Sequence, residues 1–439
     1  MSNTNRFSCC GPDHFHRRTL LKAAGASGIG WLTPVAEQLA RAEERAPRGK
    51  SAKSVIVLWM AGGPSQLETF DPKPGSDIAA GTKARGTSVK AIQVAADYEQ
   101  LADQMHHVSL VRSVVSKEGD HERASYTVKT GYRPDPTLVH PSLGAILCHQ
   151  LTDRVEIPRH ISILPGQWPA RGGYLGPQYD AFKVYDPQEP IPDVAASVND
   201  DRMQKRIADL NLVESEFARR RLKQLEGNKT LHLATTQAAL KMMTSEQLKA
   251  FDVKMAPAQL RAGFGESAFG RGCLAAARLI EVGVRCVEVT LDGWDSHVNN
   301  HEIHSTRAKQ LDPAFAALLR YLVEHRLLES TLVLCGGEFG RTPSVNATGG
   351  RDHWPHGFTI ALAGGGVRGG QVIGETSDTI PADGKDWDKH IHDPHPIADI
   401  HATVLAALGI TYDDEIITPI GRPMKLSEGT PIKHLLAVS

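Results

Sequence analysis

Thr331–Glu338 reads TLVLCGGE. Its first five residues are apolar or β-branched, the pattern of a buried strand, and two glycines and an acid follow. A second apolar run, Val284–Leu291, leads into Asp292-Gly-Trp-Asp-Ser-His297, and Gly350-Arg-Asp-His-Trp-Pro-His356 lies downstream of the first. In open α/β sheets, ligands sit in the crevice outside the carboxyl ends of the strands. Acids and histidines gathered after two such runs point to a metal site. A metal-dependent hydrolase is therefore the leading expectation.

Outward from this stretch, Ser54–Met60 (SVIVLWM) is a continuous apolar run and reads as a central parallel strand ending at Ala61-Gly-Gly-Pro-Ser65. Val108–Val115, Ile161–Leu164 and Phe358–Ala363 are further strand candidates. Helical periodicity is expected over 200–227, 231–262, 267–282, Leu311–Leu328 and Ile397–Leu408. Residues 75–90 read as a flexible loop, and the Gly-, Pro- and Tyr-rich residues 165–192 as a long irregular loop lining a site. Strands alternating with helices give an α/β fold with a mainly parallel central sheet and helices on both faces. No composition break marks a second domain, so 43–439 reads as one domain with a helical insertion around 200–282.

The 439 residues are 41% hydrophobic and 23% charged with a net charge of −1, which is ordinary for a globular chain. That balance provides no field to attract nucleic acid. Beyond the N-terminus no apolar run is long enough to span a bilayer. The N-terminus itself reads as an address. Arg17-Arg18-Thr-Leu-Leu-Lys22 precedes a weakly apolar Gly/Ala stretch, Ala23–Val35, as in a twin-arginine export signal. Ala40-Arg41-Ala42 fits small-x-small cleavage, so residues 1–42 are expected to be removed by the export machinery and the remainder to be periplasmic or secreted. Cys9 and Cys10 would leave with it. Cys148, Cys273, Cys286 and Cys335 are far apart in apolar surroundings and read as buried thiols.

Asp295 and His297 are two apart, which in an extended segment places both on one face. Carboxylate and imidazole suit zinc, manganese or iron. D-x-H is also short and common, and a capping aspartate beside a surface histidine fits it too. Glu338 follows two glycines and precedes Arg341, whose planar fork could grip an oxyanion or simply pair with the glutamate. Asp352, His353 and His356 flank Trp354 in a loop that is either a site or a polar turn. His390, His392 and His395 fit a solvated loop better. Asp120-His121, after Val108–Val115, could face the same crevice.

Three stretches resemble the sulfatase and alkaline phosphatase superfamily. LLESTLVLCGGEFG (Leu327–Gly340) is similar to the sulfatase stretch ending in Ser-Asp-His-Gly, SYTVKTGYRP (Ser125–Pro134) to the run after the nucleophile, and PIADIHATVLAALGI (Pro396–Ile410) to the C-terminal segment. More closely, the chain resembles a domain-of-unknown-function family of exported bacterial proteins within that superfamily. The carriers include Gly62-Gly-Pro-Ser with Thr69-Phe-Asp-Pro-Lys-Pro74, His140-Pro-Ser-Leu-Gly144, Gly293-Trp-Asp-Ser-His297 and Gly337-Glu-Phe-Gly-Arg-Thr-Pro343.

The resemblance implies an alkaline-phosphatase-like fold. Under it, Glu338 falls on a metal-ligating acid, Asp295 and His297 stand near the upstream Asp and His, and His353 stands for the late histidine. The sulfatase nucleophile falls on His121 and its neighbouring Arg on Ser125, which excludes formylglycine chemistry. Asp71 lies slightly past the metal aspartates of the first strand. The expectation is a hydrolase of small-molecule or glycan phosphate or sulfate esters, holding one or two divalent ions (zinc, or manganese or calcium) on Asp295, His297, Glu338 and His353. Arg341 would stabilise the oxyanion, and the attacking group would be a metal-activated water or His121. The alternative is a non-catalytic protein that binds sulfated or phosphorylated glycans.

Overall fold

The computed structural model of the protein describes residues 53–151, 155–192, 194–219, 231–381 and 386–437. The expected export signal over 1–42 lies outside them. The apolar runs form one nine-stranded sheet. In chain order its strands are β1 (Ser54–Met60), β2 (Val108–Val115), β3 (His160–Ile163), β4 (Phe182–Val184), β5 (Cys286–Leu291), β6 (Thr331–Gly336), β7 (Phe358–Gly364), β8 (Val372–Ile373) and β9 (His395–Pro396). They lie side by side as β8-β2-β7-β6-β1-β5-β3-β4, with β9 also pairing with β2. Every pairing is parallel except those of β7, which runs antiparallel to both β2 and β6.

Alternate residues of these strands feed two cores, as the period of two requires. Ile56, Leu58, Val333 and Cys335 pack on one face with α3 (Ala268–Glu281) and α4 (Asn300–Glu324). Val55, Leu332, Leu334 and Leu362 pack on the other with α2 (Leu143–Gln150) and α5 (Ile397–Ala407). The fold is therefore α/β with a mainly parallel sheet covered on both faces. Its four described cysteines are buried, as expected. No helix among the described residues is long and apolar enough to cross a membrane.

Two features of this sheet position a site. The central strands end level: Met60 pairs with Leu291 and Trp59 with Gly336, so the segments after β1, β5 and β6 emerge together. The reversal of β7 brings its start, Phe358, beside Val114 near the end of β2. The residues just before β7 thus reach the same crevice as the residues just after its neighbours. α1 (His121–Thr130) starts there too, capped by Asp120, which accepts from the Arg123 N–H.

Several elements differ from expectation. Helix α4 starts at Asn300, well before Leu311, and carries Pro313 inside it. The 231–262 region is not one helix: Leu231–Met243 is followed by two 3-10 turns, Glu246–Ala250 and Val253–Met255, and a short helix, Ala258–Gly263. Within 165–192, Phe182–Val184 adds an edge strand. Residues 75–90 hold one arm, Ala84–Gly86, of a small hairpin with Gln93–Ala95.

Candidate metal centre

The segment after β1 is fixed first. Ala61 N–H donates to Leu291 O, and Trp294 N–H donates to Ala61 O, so it is zipped to the segment after β5. Gly62 has φ +112°, and a Cβ there would lie 2.5 Å from the Asp295 nitrogen. Only glycine permits that approach. A second zipper joins the Asp295–Val298 segment to the loop before β7: Arg351 N–H donates to Ser296 O at 2.9 Å, and a Cβ on Gly350 would lie 2.0 Å from the His297 carbonyl. Gly340–Arg341 pairs with His353–Trp354 as a two-residue ribbon, with Arg341 opposite His353. Buried Gln66 clamps that ribbon, accepting from Arg341 N–H and donating to Arg341 O, both at 2.9 Å.

These zippers gather Asp295, His297 and His353. The His297 Nε2 lies 2.9 Å from the His353 Nε2 and 3.2 Å from Asp295 Oδ1, and the His353 Nε2 lies 3.5 Å from that same oxygen. The other nitrogen of each ring is committed. His353 Nδ1 donates to the Gly119 carbonyl at 2.7 Å, and His297 Nδ1 donates to the Asp352 carboxylate at 2.8 Å. A carbonyl or carboxylate can only accept, so each Nδ1 carries the proton. With one proton on each ring, both Nε2 atoms then present lone pairs to one another and to a carboxylate oxygen, an arrangement that a metal ion, or one further proton, between them would satisfy. An ion bound tetrahedrally about 2.0–2.1 Å from such ligands spaces them about 3.3–3.4 Å apart, close to the triangle seen.

His121 stands next to this triangle. One ligand atom each from His121, Asp295 and His353 lies within 4.8 Å of the others. Its Nδ1 donates to Glu338 Oε1 at 2.8 Å, and its Nε2 is 3.3 Å from Asp295 Oδ2. Those hydrogen bonds to Asp295 and Glu338, in that order, outweigh burial and push its pKa up to about 9. For Asp295, burial opposes ionisation, but hydrogen bonds from His121 and Arg341 hold its carboxyl far below the usual carboxylate range. Trp168 lies parallel to the His121 ring at 6.3 Å. The Trp168 carbonyl accepts from Lys129 Nζ, which also pairs with buried Glu288 of β5 at 2.9 Å and lies over the Trp59 ring.

A family model described as "Protein of unknown function (DUF1501)" matches residues 52–436. The chain belongs to the DUF1501 family. No curated protein matches it. Among solved structures it is similar to the lipoteichoic acid synthase LtaP from Listeria monocytogenes, at 9% identity and TM-score 0.43, over 88% of this chain and 76% of that one. It is also similar to the C-terminal periplasmic domain of EcEptC from Escherichia coli in complex with Zn, at 11% identity and TM-score 0.38, over 90% and 94% of the two chains. Alkaline phosphatase from the Antarctic bacterium TAB5 gives 14% identity and TM-score 0.35 over 82% and 99%.

In this DUF1501 chain, Asp295, His297 and His353 share one triangle, while Glu338 stands behind His121. Glu338 is 1% exposed, and its Oε1 accepts from Gly62 N–H as well as from His121. Arg341 differs from its expected role. It is fully buried, and its guanidinium donates to Gly63 O, Gly62 O, Arg351 O and Asp295 Oδ1. It therefore orients Asp295 and offers no open fork to an oxyanion. Asp71 is buried on the salt bridges of Lys73 and Arg112, and His401 donates to Val128 O inside the core. His392 is exposed on a short ribbon.

Sequence reasoning assigned no role to Asp352 as the partner that fixes the His297 tautomer. Its only signal is adjacency to His353. The Gly119 carbonyl has no sequence signal at all, since every residue carries one.

Proposed function

We propose that this chain is a metal-dependent hydrolase of phosphate or sulfate esters, with one divalent ion held by Asp295 Oδ1, His297 Nε2 and His353 Nε2. The facing imidazole lone pairs are the observation that carries this reading. Two nitrogens and one oxygen favour zinc or manganese over calcium, which prefers oxygen throughout. Three protein ligands leave a position open, as in catalytic rather than structural sites. When bound, the ion would supply positive charge for an ester oxygen and acidify a water.

The protein's own groups have separate tasks in this proposal. Asp352 and the Gly119 carbonyl keep both imidazoles in the ligating tautomer. Arg341 holds Asp295 from behind. Glu338 fixes the His121 ring through Nδ1, so Nε2 faces the cluster and can hold or pass a proton at the ester. We also propose that the chain is exported by the twin-arginine route and cleaved after Ala42. Export and processing unchanged in R17K/R18K would reject that part.

The test of the hydrolase reading is metal content and ester hydrolysis in protein purified without chelator. Wild type should hold about one equivalent of ion and hydrolyse an aryl phosphate or aryl sulfate. The D295A/H297A protein should hold none and be inactive, while H392A should match wild type. A wild type without ion, or an intact ion in D295A/H297A, rejects the proposal and leaves the glycan-binding reading.

A further inference from the structure

The 116–121 segment that carries His121 also borders a separate cleft of about 270 Å³. That is just below the usual range of small-molecule sites, about 300–1,000 Å³, and enough for one small ring. Most of its wall is apolar, with Val115 and Ile397 among the lining groups. His356 and Trp387 line it as a stacked pair, ring centroids 4.6 Å apart and planes 9° apart. The His356 Nδ1 is buried and has no hydrogen-bond partner.

Two cations also line the cleft. Lys117 is exposed and forms no ion pair among the described residues. Arg133 donates through Nε to Glu118 at 2.6 Å, yet its side chain remains 56% exposed. Glu118 is shared with Arg123, so two guanidinium groups face one buried carboxylate and the surplus charge is positive. An aromatic and aliphatic wall with flanking cations suits a ring that bears an anion.

The cleft is close to the metal centre by covalent constraint. His353 and His356 are three residues apart, so their Cα atoms cannot be separated by more than about 11 Å. Gly119, whose carbonyl orients His353, lies two residues from Lys117.

We propose that this cleft is a subsite for a second anionic group of the substrate, carried on a sugar ring, while the ester to be cleaved sits at Asp295, His297 and His353. Its part in turnover rests on the hydrolase reading, but binding in the cleft does not. Sulfate, phosphate and carboxylate share the recognising chemistry.

Calorimetric titration of the chelator-stripped full chain tests the proposal. The probes are glucose 6-sulfate, glucose 6-phosphate, glucuronate, glucose and inorganic sulfate. At least one anionic sugar should bind, glucose should not, and inorganic sulfate should bind at least about tenfold more weakly. K117A and R133Q should each weaken the anionic sugar about tenfold, the loss of one charged contact. K117R should restore it, and D295A/H297A should leave it unchanged. The subsite is overturned if no anionic sugar binds, if K117A and R133Q bind like wild type, or if only D295A/H297A loses binding. Metal content of the unstripped protein is read separately. Cleft binding without metal would end the hydrolase reading and keep the subsite, and metal without cleft binding would do the reverse.

Discussion

His304 and the His297–His353 pair lie at the same end of the sheet and obey different accounting. His304 Nδ1 donates to Asn300 O at 2.9 Å, and its Nε2 accepts from Ser65 N–H at 2.8 Å. One proton and one lone pair are both matched, and the ring is 1% exposed. His297 and His353 match their Nδ1 protons in the same way, but their Nε2 lone pairs meet each other at 2.9 Å. The nearby acids follow suit. Glu68 is closed off against the buried guanidinium of Arg351 at 2.9 Å, whereas Asp295 keeps 45% of its side chain exposed despite Arg341 behind it. Residue type does not separate a hydrogen-bond-satisfied cluster from an unsatisfied one here. Counting protons against lone pairs does.

The largest expected effect lies beside the unmatched cluster. H121Q should lower ester hydrolysis by about 10²–10⁴-fold, the usual worth of a placed acid or base. Metal content should stay at the wild-type level, because His121 is outside the ligating triangle. Loss of the ion in H121Q would move His121 into the ligand set.

Metal removal addresses the comparison directly. Ion at 1,000 times its Kd stabilises by about 4 kcal/mol. Chelation should therefore lower the wild-type melting temperature, and H297A should melt at one temperature with or without chelator. H304Q should be less stable but keep its response to chelator. If chelator leaves wild type unmoved, the two clusters are the same kind of thing.

Acid should unfold the chelated protein through the matched cluster. Burial holds the His304 pKa near 4 against an ordinary 6.5. The unfolded chain therefore takes up a proton below pH 6.5 that the folded chain refuses until about pH 4. Its stability contribution is complete above that window and lost as pH falls through it. Burial pushes the Glu68 carboxyl up, but Arg351 and its other partners hold it down to about 2, which adds a loss of the same sign between pH 4.5 and 2. Each is worth at most about 3 kcal/mol. Melting curves from pH 7.5 to 5 should fall more steeply for wild type than for H304Q. Parallel slopes would show that His304 does not set the acid limit.

The smallest effect concerns tautomer control. D352A should weaken metal affinity about 10–100-fold, as removal of such outer partners commonly does. Unchanged affinity would mean that the His297 ring needs no external orientation.

The sheet was legible because β1 and β6 are unbroken apolar runs, and β5 is one interrupted mainly by Glu288, each leading into glycine or acid. Their parallel order then brought Asp295, Glu338 and the residues before β7 to one end. The start of α4 was not legible, since NHEIHSTRAKQ is polar and Pro313 sits inside the helix. Arg341 was misjudged for a related reason. Its guanidinium is consumed mainly by the carbonyls of Gly62, Gly63 and Arg351, and a carbonyl leaves no mark in sequence. His297 and His353 were visible as residue types, but their Nε2 contact depends on backbone packing between two loops distant in the chain.

Lys129 fixes the segment that lies over one side of His121. Its ammonium is held by Glu288 and by the Trp168 carbonyl at 2.9 Å each, inside the protein. The segment carrying Trp168 is therefore latched rather than hinged. Lifting it would strip a buried ammonium of one of its two acceptors, a cost of about 1–3 kcal/mol or more for a charged group. Movement of that segment off the His121 face is thus a rare local event, on the timescale of loop opening, microseconds or longer, rather than of side-chain rotation.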